Sequence, residues 1–291
     1  MEMPKIVVGV DGSPASITAL RWAAREAQRR GVELEVVLAY NSRLPGAPHR
    51  TSPHPLKEAV DFASSLMDAA VAEARTVAPH VRVHGAATLG AAAPTLLDAA
   101  RNALLLVVGS RGGGGFASLL AGSVSIRVAA EACSPVAVVR GDPDNDTGPL
   151  VVGVDGSDSA DLAVGIAFAE ASRRGCAVKA VRAYHEPTMP VPAGPPIDYD
   201  PAWLHAELRA EVIEQVSGWR DKYPDVPVEY VVDPGSPAGV LAAASEQAQL
   251  VVVGTRGHHS ATGCLLMGSV GLQLLHHARC PVLIARARPG A

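Results

Sequence analysis

The sequence predicts an α/β protein made of two tandem doubly wound domains, each a five-stranded parallel sheet with helices on both faces. Three observations predict it. The 291 residues, 48% hydrophobic and 4% aromatic, are long enough for two domains of about 150 residues, each burying its own core. The two halves repeat one another. Within each half, continuous apolar runs alternate with segments of helical periodicity, the order of parallel strands joined by crossover helices.

The repeat is collinear. Ile6-Val7-Val8-Gly9-Val10-Asp11-Gly12-Ser13 recurs as Leu150-Val151-Val152-Gly153-Val154-Asp155-Gly156-Ser157, 144 residues later. Glu26 matches Glu170, Gly31 matches Gly175 and Tyr40 matches Tyr184 at the same offset. Val107-Val108-Gly109 matches Val252-Val253-Gly254 at 145 and Pro135 matches Pro281 at 146, a drift of two single-residue insertions. The copies are placed at residues 1–141 and 149–291, joined by the polar, Pro- and Gly-bounded stretch Gly141 to Pro149.

The first copy reads in order. Lys5–Val10 is an apolar run suited to a strand buried on both faces. Ser13-Pro14 supplies an N-cap and a proline at the first helical position, Ile17, Leu20, Ala24 and Ala27 follow at helical spacing, and Gly31 ends the helix. A strand over Glu33–Ala39 leads into the Pro-rich loop Asn41–Pro55. Leu56, Val60, Ala63, Met67, Ala70, Ala74 and Val77 form the stripe of a second helix. Strand Val81–Ala86, helix Pro94–Arg101, strand Leu104–Val108, helix Ser118–Glu131 and strand Val136–Val139 complete the copy. The second copy repeats the order, with Leu204, Leu208, Val212, Val216 and Trp219 on its second helix and a Pro-rich loop over His185–Pro201. The final strands, Val136–Val139 and Val282–Ala285, are expected at sheet edges. Unpaired edge amides there invite copy-to-copy or chain-to-chain pairing, giving an intramolecular pseudo-dimer or a homodimer.

Composition narrows the function classes. The formal charge is −4, from 25 basic and 29 acidic side chains with no basic block, which argues against nucleic acid as a partner. No apolar stretch reaches the roughly 20 residues of a membrane span. The N-terminus lacks the apolar segment and cleavage site of a signal peptide, and the four cysteines show no metal or disulfide spacing. A cytoplasmic protein is expected.

Ligands of open parallel sheets bind beyond the carboxyl ends of the strands where the winding reverses. That directs attention to the loops after strands one and four. The first carries Asp11-Gly12-Ser13; the other runs from Gly109-Ser110-Arg111-Gly112 to Gly122-Ser123-Val124 at the start of the next helix. Glycines let backbone N–H groups approach an anion, and Ser123 at a helix N-terminus offers a hydroxyl, free N–H groups and the positive dipole end. Arg111 adds charge, and Asp11 can accept from a ribose hydroxyl. There is no G-x-x-x-x-G-K-[ST] segment, which excludes a P-loop NTPase.

The spacing Gly109-x2-Gly112-x9-Gly122-Ser123, with Asp11 closing the first strand, resembles the nucleotide-binding pattern of universal stress proteins, in the tandem form typical of actinobacteria. The resemblance covers nearly the whole chain, twice. It implies the Rossmann-like fold of the adenine nucleotide alpha-hydrolase-like proteins and binding of ATP, with or without Mg²⁺, between the first and fourth strands. It implies a stress-response regulator whose protein partner the sequence does not name. By the same resemblance Gly9 and Asp11 lie by the adenosine, Ala39 against the adenine, and Gly109, Ser110, Arg111, Gly112, Gly122, Ser123 and Val124 around ribose and phosphates. The equivalents in the second copy are Gly153, Asp155, Ala183, Gly254, Thr255, Arg256, Gly257, Gly268, Ser269 and Val270.

The second copy departs from the pattern. Ten residues rather than nine separate Gly257 from Gly268, and His258-His259 stand where the first copy has glycines. An extra residue is expected to shift every N–H that follows, leaving the first site the more faithful binder. Neither site offers a lysine, a second carboxylate or a water-activating base, so at most slow hydrolysis is expected. The alternatives are a partner-binding protein with decayed sites and, last, an adenylate-chemistry enzyme. Bound nucleotide is also expected to order the two Pro-rich loops.

Overall fold

The computed structural model describes residues 3–40, 55–112, 121–185, 200–255 and 267–287. The first copy comprises β1 (Lys5–Val10), α1 (Pro14–Arg30), β2 (Glu33–Tyr40), α2 (Pro55–Val77), β3 (Val83–Leu89), α3 (Ala92–Ala99), β4 (Leu105–Gly109), α4 (Ser123–Glu131) and β5 (Val136–Val139). The second repeats it as β6 (Leu150–Gly153), α5 (Asp158–Arg174), β7 (Val178–Tyr184), α6 (Pro201–Lys222), β8 (Val228–Pro234), α7 (Pro237–Ala244), β9 (Leu250–Val253), α8 (Ser269–His277) and β10 (Val282–Ile284). Most of both Pro-rich loops and residues 113–120 lie outside the described residues.

Alternation along the strands divides the interior into two layers. Ile6, Val8 and Val10 face one way, onto α1 and α2, while Val7 faces the other, onto α3 and α4. All four side chains are at most 5% exposed, as expected of strands covered on both faces. The start of α1 follows its sequence signals. Ser13 accepts from the Ser16 amide at 3.2 Å, Pro14 opens the helix, and Gly31 closes it with φ 63°, a left-handed conformation that favours glycine.

Three elements differ from the sequence reading by more than one residue. α4 starts at Ser123 rather than Ser118, because Gly122 is extended, with φ −80° and ψ 152°, and caps it. β3 starts at Val83, because the Val81 amide is spent in a turn on the Ala78 carbonyl, and runs on through Gly85 to Leu89. As an outer strand it needs no continuous apolar run. α3 starts at Ala92, which places Pro94 in the first helical turn, where a missing N–H costs nothing.

Within each copy every strand pairing is parallel, in the order β3-β2-β1-β4-β5 and its equivalent. The final strands, read from the sequence as edges, are interior in the whole chain. β10 pairs antiparallel with β5, Val282 opposite Val138 and Ile284 opposite Val136, to make one ten-stranded sheet. The expected copy-to-copy pairing is therefore made within the chain, and the outer strands are β3 and β8.

Helices α1 and α5 meet on one face of this joint. Glu26 and Glu170, residues that match in the repeat, are buried there beside Arg30 and Arg174, which also match. Arg174 bridges Glu26 and, at 2.7 Å, Glu170; Arg30 reaches Glu170 at 3.1 Å and Glu26 at 3.4 Å. Burial pushes the Glu170 carboxyl up, but the guanidiniums of Arg30, Arg174 and Arg173 outweigh it and hold its pKa below the usual carboxylate value. Each buried carboxylate thus sits among three guanidiniums, Arg29, Arg30 and Arg174 around Glu26 and Arg30, Arg173 and Arg174 around Glu170, the condition under which burying charge is tolerable.

Candidate functional site

In the first copy the ends of β1 and β4 splay apart where the winding reverses, and a cavity of about 310 Å³ opens between them. Gly9 and Asp11 line it from the end of β1, Ala39 from β2, and Gly109, Arg111 and Gly112 from β4 and the loop beyond. Gly122, Ser123 and Val124 close it at the start of α4. Nine residues singled out by sequence in this copy are therefore brought to one cavity.

Ser110 contributes through its backbone. Its carbonyl accepts from the Gly122 amide at 2.8 Å and its amide donates to the Val139 carbonyl at 3.0 Å, which ties both ends of the glycine loop to the sheet. Gly122 caps α4 from an extended conformation, so Ser123 begins the helix with the first-turn N–H groups directed at the cavity. Asp11 is held by its own turn. Its Oδ1 accepts from the Ser13 amide at 3.0 Å, and its amide donates to Ser16 Oγ at 3.3 Å.

Two of the glycines are required by close approach. A Cβ on Gly109 would stand 2.7 Å from the Ala15 carbonyl oxygen, and one on Gly112 would stand 2.6 Å from Asp11 Oδ2. The Gly112 backbone is thus packed directly against the Asp11 carboxylate, which places the site's carboxylate between the two loops.

Sequence reasoning missed part of the wall. Val37, Ala92, Leu96 and Val108 form an apolar side of the cavity, Val10 adjoins it at the end of β1, and Ser16 and Ser125 add hydroxyls. Ser125 Oγ donates to the Gly122 carbonyl at 2.8 Å and lies 3.3 Å from the Ser110 carbonyl, bracing the same loop junction. Ser16, three residues beyond the Ser13 cap, was legible as a first-turn polar residue. Leu96 on α3 carried no signal, since only folding brings it against Gly9, where a Cβ would meet its side chain at 2.9 Å.

The family model for the universal stress protein family matches residues 3–140 and again residues 147–286. The chain belongs to the universal stress protein family. Relatives in that family share the tandem length. Universal stress protein Rv2623 of Mycobacterium tuberculosis is 39% identical over 97% of this chain and 96% of its own. Universal stress protein Rv2005c of the same organism is 38% identical over the same shares. Among solved structures, a universal stress protein from Archaeoglobus fulgidus aligns over 97% of this chain and 98% of its own, at TM-score 0.70 and 20% identity, a likeness of fold.

The second universal stress protein copy keeps the frame and changes the lining. Gly153 packs on Leu241 as Gly9 does on Leu96, Gly254 lies against the Ser159 backbone, and Ala183 sits on β7 opposite Asp233. Asp155 accepts from the Ser157 amide at 3.1 Å and from Ser157 Oγ at 2.6 Å. Gly268 caps α8, Ser269 and Val270 begin it, and the Gly268 amide donates to the Thr255 carbonyl at 2.7 Å. That bond repeats the Gly122–Ser110 bond, so the extra residue does not shift the helix start as the sequence reading expected. It is absorbed between Thr255 and Gly268. Arg256, Gly257, His258 and His259 lie outside the described residues. The two cavity hydroxyls are replaced: Ser16 corresponds to Ala160 and Ser125 to Gly271.

Among the described residues no helix is long and apolar enough to cross a membrane, and no group of three or more His, Cys, Asp or Glu side chains could hold a metal ion. Of the thiols described, Cys133 is exposed, Cys176 half-buried and Cys280 buried, with burial pushing the Cys280 pKa up to about 12.

Proposed function

We propose that the first copy binds ATP and that the protein is a nucleotide-dependent stress-response regulator of the cytoplasm rather than a fast catalyst. The observation that carries the reading is the convergence of Asp11, the glycine loop and the α4 N-terminus on one cavity with an apolar wall. An adenine fits against Val37, Ala39 and Leu96; Asp11 takes the ribose; Gly109, Arg111, Gly112, Gly122, Ser123 and Val124 take the phosphates. With one carboxylate in the cavity, Mg²⁺ would arrive on the phosphates.

The equivalent second-copy residues, Gly153, Asp155, Ala183, Gly254 to Gly257 and Gly268 to Val270, form the weaker site, because its two cavity hydroxyls are gone. Domain limits of 1–141 and 149–291 go with this reading. Binding that favours the folded form adds about 2.7 kcal/mol at a hundredfold excess over Kd, enough for nucleotide level to set the protein's stability. Mass spectrometry of nucleotide released from the purified protein tests the proposal. Co-purified ATP supports it; an empty protein that also fails to bind added ATP refutes it.

A further inference from the structure

The two ends of the ten-stranded sheet are copies of one another dressed in opposite ways. Aligned at the offset of 145, His84, Thr88 and Leu89 of β3 correspond to Glu229, Asp233 and Pro234 of β8. β8 carries the devices that protect a sheet edge, charges and a proline. Its Tyr230 is in addition covered by the Arg209 guanidinium, 5.7 Å above the ring. β3 itself carries neither an Asp, Glu, Lys or Arg side chain nor a proline.

The hydrogen bonds fix which groups of β3 face outward. Arg82 accepts from the Leu34 amide and Gly90 donates to the Tyr40 carbonyl, so even-numbered residues bond inward to β2. Val83, Gly85, Ala87 and Leu89 therefore direct their N–H and C=O groups to the outer edge, where the Val83 carbonyl also accepts from Arg75 Nη2 at 3.4 Å and keeps a second lone pair for a partner strand. An apolar strip lies beside them. Gly85 faces α2, where a Cβ would lie 3.1 Å from Val71, and Leu89 shares that face of the strand. Val60, three helical turns before Val71, lies on the same flank of α2. Leu89 is 55% exposed and Val60 39%.

We propose that β3 pairs antiparallel with β3 of a second copy of this chain, joining two ten-stranded sheets edge to edge across a two-fold axis. With the axis at Ala86, Gly85 and Ala87 exchange both hydrogen bonds across the axis, as do Val83 and Leu89, and His84 stands opposite Thr88. No like charges meet. The same register at β8 sets Glu229 opposite Asp233 and asks for an N–H that Pro234 lacks. The chain thus pairs through one end and is barred at the other, which stops growth at a dimer instead of a filament. The joint already made between β5 and β10 uses the same mode, antiparallel pairing of two terminal strands. The inference does not depend on nucleotide binding.

Sedimentation velocity of the full chain over a concentration series tests it, with the β8 guard moved onto β3 as Thr88→Asp with Leu89→Pro. Ala87→Lys serves as a second variant, and circular dichroism checks the fold of each. The expected result is a concentration-dependent dimer for the wild type and a Kd at least about tenfold weaker for each folded variant. A wild type that stays monomeric at about 100 µM, including one whose edge takes only a foreign strand, overturns the inference. So does a dimer that the variants leave unchanged.

Discussion

Arg140 and Arg286 cap each other's domain. Arg140 follows β5 and donates to the Leu274 and His276 carbonyls at 3.0 and 2.8 Å, at the end of α8. Arg286 follows β10 and donates from one nitrogen to the Ala129 and Ala130 carbonyls, both at 2.7 Å, near the end of α4. The two arginines match in the repeat, so the exchange is reciprocal. Each donates to carbonyls of a last helical turn and places a cation at the negative end of a helix dipole.

Replacing either arginine by alanine is expected to cost about 1.5–3 kcal/mol, the range for hydrogen bonds to charged groups. Urea denaturation checks this. The double variant should lose about the sum, since the helix-end carbonyls that the two arginines hold are different.

The joint between α1 and α5 gives a pH dependence. The folded-state pKa of Glu170 is lowered from the 4.5 of an unperturbed carboxyl, so its contribution is fully present above that value. It is lost as pH falls below 4.5 toward the folded pKa. Glu170→Gln should cost about 3–5 kcal/mol at neutral pH, because it leaves buried guanidiniums uncompensated. The gap between wild type and variant should close below pH 4.5. Melting temperatures of both proteins across pH 3 to 7 measure it.

The glycines of the site separate by substitution. Gly109→Ala drives a Cβ to 2.7 Å from the Ala15 carbonyl oxygen and should destabilise the fold by about 1–3 kcal/mol. At Gly122 the nearest atom to a Cβ among the described residues is 3.5 Å away and φ is −80°, so alanine there should stay within about 0.5 kcal/mol of wild type. Chemical denaturation of both variants distinguishes a glycine needed for packing from one that is not.

Much of this was legible in the sequence, for identifiable reasons. Strands β1 and β4 announced themselves because a strand covered on both faces must be apolar throughout. β3 was placed as a strand but with its bounds shifted, Val81–Ala86 instead of Val83–Leu89, because an outer strand escapes that demand and its Ala87 to Leu89 end carries no apolar run. The glycine loop was found because its chemistry lies in consecutive residues. Ser125 and Leu96 were missed because α3 and α4 bring them to the cavity only after folding. Glu26 and Glu170 were visible as a matched pair, yet the match could not say that they meet. The second-copy insertion was visible too, but not the Gly268–Thr255 hydrogen bond that absorbs it.

The central claim is that the first copy holds the nucleotide. Calorimetric titration of ATP into the wild type, Gly122→Asp and Gly268→Asp tests it most directly. Both positions have φ values that any residue adopts, −80° and −64°, so the added charge meets the phosphates without straining the backbone. The expected result is binding by the wild type and by Gly268→Asp with nearly the same dominant affinity, and a loss of at least about a hundredfold in Gly122→Asp, equivalent to roughly 2.7 kcal/mol. Equal loss in both variants, or loss in Gly268→Asp alone, would contradict the account.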